Sequence, residues 1–441
     1  MNSRKMATLI NNYKLHDRKK IKDFIIENPE SLSLKELSSI AEKVNNQRAD
    51  TAAFYTDSEI IEYIRHSLPD INKDELYILE PSVGIGSFLP LIFERYKDKK
   101  HVTLDLVDID ENSIEILKVL LKKFEIPKNF TINIQNEDFL FYKAPYKYDL
   151  IIGNPPFLKL NKQKLKKYDF SLLDNVTKNL AGLFTKKSMA MADRVLFILP
   201  KYFLSNSDFK KVREEVGNYC VEEIIDFGEN GFKGVLIETI FLNVNTKKAP
   251  DKTKVKSISL NKENIIKQHE MTDSFFPYWL IYRDENFNSL IEKMDFDIFD
   301  VFRDRQITNK LLSEKGDVWV IKSRNITRDG LKIQHIDGYD SFIKKENLKG
   351  ISISKFLDDE NVFLAPNMTY YPRVIRKPKN TIVNGSVAVL LNKTNKFIKD
   401  SDLKFFASNE FENFYRVARN FSTRSLNIDK QSVFFFGLLT K

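Results

Sequence analysis

A single cysteine, Cys220, stands among 441 residues. That excludes an internal disulfide and any structural zinc site built on several thiolates. The five histidines (His16, His66, His101, His269 and His335) are scattered without metal-ligand spacing, so no metal is expected. No run of 18 apolar residues occurs, which argues against a transmembrane helix. Residues 1–20 hold neither an apolar stretch nor a cleavage site of the secretory kind, so the chain reads as cytoplasmic, with no membrane partner. Glycine and proline are few, 14 of each, which sets aside collagen-like repeats. Gly-Lys-Ser/Thr is absent, which excludes a P-loop.

What is present is the composition of an ordinary folded protein, 42% hydrophobic and 30% charged, long enough for two or three domains. The net charge of +9 is uneven: residues 251–441 carry +7 and residues 1–250 carry +2. A basic, aromatic-bearing part beside a near-neutral one fits a polyanionic partner, and equally a merely basic soluble surface. The Lys-, Ile- and Asn-rich usage is associated with AT-rich bacterial genomes.

Residues 1–50 read as a helical extension. Ser33 and Glu36 form a capping box, and Leu34, Leu37, Ala41 and Val44 then share one helical face. From residue 51 short apolar runs alternate with amphipathic segments: 76–79, 102–107, 131–134, 150–152 and 195–199 as strands, then 221–227 and 238–244 as a closing hairpin. This is the α/β pattern of a mostly parallel sheet covered by helices. The pattern breaks at Lys247–Lys256, read as a linker between a domain over 51–248 and an α+β module over 255–441.

Four signals carry chemistry. An apolar strand runs into Glu80-Pro81 and then Gly84-Ile85-Gly86, a strand-to-helix turn where a ligand can approach the backbone; alone, a tight turn without a ligand explains it as well. Asp108 ends the next strand 24 residues after Gly84, where an acid can accept both hydroxyls of a ribose, while Asp110 reads as a helix cap. Asp138 follows a third strand and can accept from an amino group, with Phe139 beside it to pack on a purine; by itself this signal decides nothing. The fourth is Asp149-Leu150-Ile151-Ile152-Gly153-Asn154-Pro155-Pro156-Phe157. Two prolines fix the backbone and remove two N–H donors, so the Asn154 side-chain oxygen and the Pro155 carbonyl can aim at one amine. Phe157 offers a face to a planar base.

With these motifs in this order, the sequence resembles the gamma-class adenine-N6 DNA methyltransferases, the Taq-type group of Type II restriction–modification systems with an NPPY/F motif. The resemblance is carried by residues 50–245 and more loosely by the rest. It implies a Rossmann-like class I methyltransferase domain with a seven-stranded, mostly parallel sheet, S-adenosylmethionine as cofactor, and a target-recognition domain over 255–441. It also implies roles. Thr56 in Ala53-Phe54-Tyr55-Thr56 contacts the cofactor carboxylate, and Glu80, Pro81, Gly84, Gly86, Asp108, Asp138 and Phe139 line the cofactor site. Asn154, Pro155, Pro156 and Phe157 form the catalytic motif. Phe232, in Gly231-Phe232-Lys233, packs with Phe157 on an extruded base. Asn179–Phe184 and Leu199–Phe203 match further segments of the family. Phe157 replaces the usual Tyr, and Met191–Arg194 lacks the usual Gly-Gly.

The implied reaction is methyl transfer to a flipped adenine N6 in double-stranded DNA, by a bacterial monomer whose cognate endonuclease would be a separate chain. Other readings are methylation of another amine or amide (an rRNA base, a protein glutamine or cytosine N4) and a DNA-binding subunit without catalysis.

Overall fold

A computed structural model describes residues 1, 3–45, 58–168, 176–229, 237–367, 370–422 and 427–440. The chain divides into two compact units, 1–269 and 270–441.

In the first unit the apolar runs become strands β1 (Glu75–Glu80), β2 (His101–Asp108), β3 (Phe130–Asn136), β4 (Leu150–Gly153), β5 (Arg194–Pro200), β6 (Cys220–Gly228) and β7 (Thr239–Asn245). Two more, β8 (Lys252–Ser257) and β9 (Lys262–Lys267), complete a nine-stranded sheet ordered β3-β2-β1-β4-β5-β7-β6-β8-β9. Neighbours from β3 through to β5 run parallel, whereas β7 is antiparallel to both β5 and β6. Every residue of β4 and β7 is buried, as expected for strands covered on both faces. Cys220 is buried at the start of β6.

Among the described residues the sheet thus has nine strands, where seven were expected. The linker read at Lys247–Lys256 is corrected with it: β8 pairs in parallel with β6, so position 255 lies inside the sheet. The lysines of β8 are the reason. Thr253, Val255 and Ser257 point inward and Lys252 and Lys254 outward, a half-buried strand whose polar face resembles a linker in sequence.

The described residues open with helices α1 (Ser3–Asn12), α2 (Arg18–Glu27) and α3 (Leu34–Val44). The capping box of α3 forms as expected, and Leu37, Ala41 and Val44 are buried with Ile40. Helices α4 (Ser58–Arg65), α5 (Leu89–Tyr96) and α6 (Glu111–Leu121) follow, the last two connecting β1 to β2 and β2 to β3. The N-terminal helices share one apolar cluster with Ile116 and Leu120 of α6 and with Ile85 of the glycine turn. They are part of the first unit and pack against its glycine turn and α6.

No helix joins β3 to β4. That connection is held by tyrosines, since the buried Asp105 carboxylate in mid-β2 accepts from Tyr148 (2.6 Å), Tyr146 (2.7 Å) and Asn133 (2.8 Å). Helices α7 (Lys162–Leu165) and α8 (Leu180–Met191) lie between β4 and β5, and α9 (Lys210–Gly217) between β5 and β6.

The second unit mixes strands and helices. Strands 299–302, 387–392, 362–366 and 375–376 form an antiparallel sheet. Its central strands alternate strictly. Phe363, Ala365, Ala388 and Leu390 enter an aromatic core with the helices over 285–291, 400–406 and 409–418, while Val362, Leu364, Val387 and Val389 enter an aliphatic one. A period of two thus assigns each residue to one of two cores. Among the described residues no helix is long and apolar enough to cross a membrane.

Candidate functional site

The first unit folds outward from β1: β2 and β3 lie on one side, and β4 and β5 return on the other. Chain connections therefore diverge at the carboxyl ends of β1 and β4, leaving the crevice in which open α/β sheets bind ligands. The expected site residues sit at these strand ends. Glu80 ends β1, Asp108 ends β2, Asp138 follows β3 and Asn154 follows β4.

The glycine turn depends on its sequence. Gly84 and Gly86 have φ of +58° and +89°, a region L side chains avoid. A Cβ on Gly86 would lie 2.6 Å from Leu89 Cδ1 and 2.9 Å from Leu117 Cδ1. The Gly84 amide donates to Asp108 Oδ2 (2.7 Å) and the Asp110 amide to Asp108 Oδ1 (2.9 Å), so the buried Asp108 carboxylate ties the turn to the end of β2. Asp110 caps α6, accepting from the Asn112 and Ser113 amides, and also accepts from Asn45 (3.0 Å) at the end of α3.

The β1 and β4 ends touch directly: Ser82 Oγ donates to the Asn154 carbonyl (3.1 Å), and a Cβ on Gly153 would lie 3.3 Å from Pro81 Cδ. Asp149, at the start of the motif, is buried; it accepts from the Tyr77 amide (2.9 Å) and pairs with Lys73.

A cavity of about 430 Å³ opens here. Of the expected residues, Pro81, Asp108, Asp138, Phe139, Asn154 and Pro156 line it. Glu80, Gly84, Gly86, Pro155 and Phe157 do not. Glu80 is 1% exposed and the glycines shape the turn, while Pro155 and Phe157 are buried off the cavity wall. Thr56 and Phe232 lie outside the described residues.

The structure adds wall residues that the motifs did not indicate: Ile109, Lys164, Lys167, Tyr168 and Phe184. Ile109 is 60% exposed, an apolar side chain held out of the core beside Asp108. Its signal was legible as an apolar residue between two acids at a strand end. Tyr168 donates to Asp138 Oδ2 (3.0 Å); burial, and then the Asp138 charge, push its hydroxyl well above the usual tyrosine range. Lys187 on α8 donates to the carbonyls of Phe139 (2.7 Å), Leu140 (3.0 Å) and Tyr142 (2.7 Å), holding the loop that carries Asp138. Burial pushes the Lys187 ammonium down to about 8. No local pattern announces that tie, because it joins residues 45 to 48 positions apart.

S-adenosylmethionine fits what is present. One wall offers the Asp108 carboxylate, an acceptor for sugar hydroxyls, and the apolar Ile109, Phe139 and Phe184 can flank a flat purine near the Asp138 acceptor.

Comparison with known proteins agrees with the motif reading. Residues 28–232 match the family model described as Eco57I restriction-modification methylase. The Type II methyltransferase M.AccI of Acinetobacter calcoaceticus is 32% identical over 182 residues, covering 37% of this chain and 31% of that protein. M.VspI of Vibrio sp. (strain 343) is 29% identical over 246 residues, covering 54% and 58%. The chain thus spans under two thirds of either relative. A solved structure described as a DrdV–DNA complex superimposes with a TM-score of 0.50 at 12% identity, covering 93% of this chain and 55% of that one, a likeness of fold.

Proposed function

We propose, on the premise that residues 28–232 carry a restriction-modification methylase domain, that this protein methylates the N6 amine of an adenine in double-stranded DNA. Its place is the modification arm of a restriction–modification system. The observation that carries the reading is Asn154 beside Pro156 on the wall of the switch-point cavity that also presents Asp108 and Asp138.

S-adenosylmethionine, when bound, supplies an electrophilic methyl on a sulfonium. Asp108 accepts from the ribose, and Ile109 and Phe139 hold the purine. The target amine donates its two N–H groups to the Asn154 side-chain oxygen and the Pro155 carbonyl, which keeps the nitrogen lone pair out of the ring and directs it along the line of displacement. With the cofactor bound, its methyl would pass to the nitrogen held by Asn154 and Pro155, and that nitrogen would release one proton to water. Orientation and fixed dipoles do the catalytic work, and no covalent enzyme intermediate forms.

A base in a duplex reaches such a pocket only by flipping out, at a cost of a few kcal/mol. Phe157 and Phe232 offset part of that cost by stacking, about 1–3 kcal/mol per base. This role requires Phe157 to turn toward the cavity from its buried position.

Sequence choice falls to the second unit, 270–441. Its surface pairs cations with aromatic rings: Lys322 and Arg324 lie 3.9 and 4.8 Å from the Tyr339 ring centre, and Arg328 lies 3.7 Å from that of Tyr371. Such pairs suit phosphates and base edges together.

The test is sequencing of modified bases in DNA from cells expressing this chain alone, beside cells expressing Asn154→Ala. N6-methyladenine at one recurring short sequence, lost in the variant while cofactor binding persists, is the expected result. Unmodified DNA from cells holding folded wild-type protein would overturn the reading.

A further inference from the structure

We infer that the lysine-rich stretch immediately after the NPPF motif, residues 159–167, grips the DNA phosphates beside the extruded nucleotide; this rests on the methyltransferase reading above. In sequence the stretch is Lys-Leu-Asn-Lys-Gln-Lys-Leu-Lys-Lys, five cations and no acid in nine residues. A charge run of this kind is usually a solvated face, and three observations set this one apart.

The first is location. Lys164 and Lys167 line the same cavity as Asn154 and Pro156, whereas the other charged residues on its wall are Asp108, Asp110 and Asp138. The cavity is therefore acidic where a sulfonium and an amine are to be held, and cationic on one flank only.

The second is anchorage. Residues 158–160 pair with 178–180, the Leu160 amide donating to the Lys178 carbonyl (2.8 Å) and the Leu180 amide to the Leu158 carbonyl (2.8 Å). The Lys164 amide donates to Asn161 Oδ1 (2.8 Å), Leu160 is buried and Tyr168 is tied to Asp138. The backbone that presents the lysines is thus fixed to the wall of the site.

The third is charge balance. Lys164, Lys166 and Lys167 are exposed, and among the described residues none makes an ion pair; Lys159 lies 3.6 Å from Asp208. Unneutralised cations at the mouth of a pocket for a DNA base meet the phosphates flanking that base at little cost in desolvation. The occupant this selects is the DNA backbone, because flipping a nucleotide draws its own phosphates toward the pocket mouth.

The experiment compares the full-length wild type with Lys164→Gln/Lys167→Gln. Duplex DNA affinity is measured across a salt series, KM and kcat for methyl transfer are taken on the same duplex, and S-adenosylmethionine affinity is measured without DNA. Every phosphate that the protein no longer neutralises makes the slope of log affinity against log salt shallower by about 0.9, so the double variant should be shallower by roughly 2. KM for DNA should rise about tenfold or more, with cofactor affinity unchanged. An unchanged slope in the variant of an active enzyme overturns the inference. So does weakened cofactor binding with DNA affinity intact, which would place the lysines on the cofactor carboxylate. A wild type that methylates no duplex fails before any variant is compared, and takes both readings with it.

Discussion

The two units bury charge of opposite sign. Among the described residues of the first unit, the buried ionisable side chains are Glu80, Asp105, Asp108, Asp149 and Asp226 against Lys201 and Arg213. In the second they are Arg283, Arg373 and Lys377 against Asp304 and Asp402. In the first unit buried carboxylates accept from backbone amides, as Asp108 does from Gly84 and Asp149 from Tyr77, while buried Arg213 donates to the carbonyls of Phe203 and Asn206 (2.7 Å each). In the second, Asp304 accepts from the Ile307 amide (2.7 Å) and buried cations donate to backbone carbonyls: Arg373 to those of Tyr371 (2.9 Å), Ile326 (3.1 Å) and Ser323 (3.2 Å), and Lys377 to Leu357 and Pro378 (2.8 Å each). The same device, a buried ionisable group satisfied by backbone dipoles, serves both units, with acids in excess in the first and bases in the second.

The largest expected effect breaks the second half of this comparison. Arg373→Ala leaves three carbonyls without their donor and should cost the second unit about 3 kcal/mol. Urea denaturation should become biphasic, with cofactor binding persisting through the first transition. A single unchanged transition would show that Arg373 is not a structural tie.

Asp108→Ala strikes the first half. Losing a charge-assisted acceptor is worth about 1.5–3 kcal/mol, so titration calorimetry should find S-adenosylmethionine binding roughly 10–100-fold weaker. The second unit's unfolding should not move.

Gly86→Ala is milder, since a positive φ costs an L residue about 1–2 kcal/mol and the crowding atoms are the ends of two leucines. A lower melting temperature, partly recovered on saturation with cofactor, is the expected outcome. Equal stability with and without cofactor would sever the turn from the site.

The smallest effect is in pH. Lys187 and Lys377 are both pushed down to about 8 by burial, from an ordinary 10.5. Between those values the unfolded chain holds more protons than the folded one, so their contribution to stability rises as pH rises from about 8 to 10.5. Relative to Lys187→Met/Lys377→Met, the wild type should gain stability between pH 7.5 and 10. A difference that stays flat over this range would contradict the buried, desolvated placement of both ammonium groups.

Strands β1, β2, β4, β5 and β7 of the first unit were legible because burial on both faces leaves short, nearly continuous apolar runs. Asn154, Asp108 and Asp138 were legible because strand-end positions are set by those runs. The domain boundary was obscured where Lys252–Ser257 keeps one polar face, since composition cannot distinguish a half-buried strand from a linker. Phe157 suggests a stacking face by its residue type, yet the fold places it off the cavity wall. Lys187, Tyr168 and the hydrogen bond from Asn45 to Asp110 were invisible, because each joins residues at least thirty positions apart.

The sequence by itself determined which residues end the strands, where the glycine turn and the NPPF turn fall, and which part of the chain carries the positive charge, because these follow from local periodicity and composition. Only the tertiary structure decided that the strand ends meet around one cavity, that two further strands extend the sheet and that the lysines after the motif border the site. Those outcomes depend on strand order and on packing between distant residues, which no local pattern encodes.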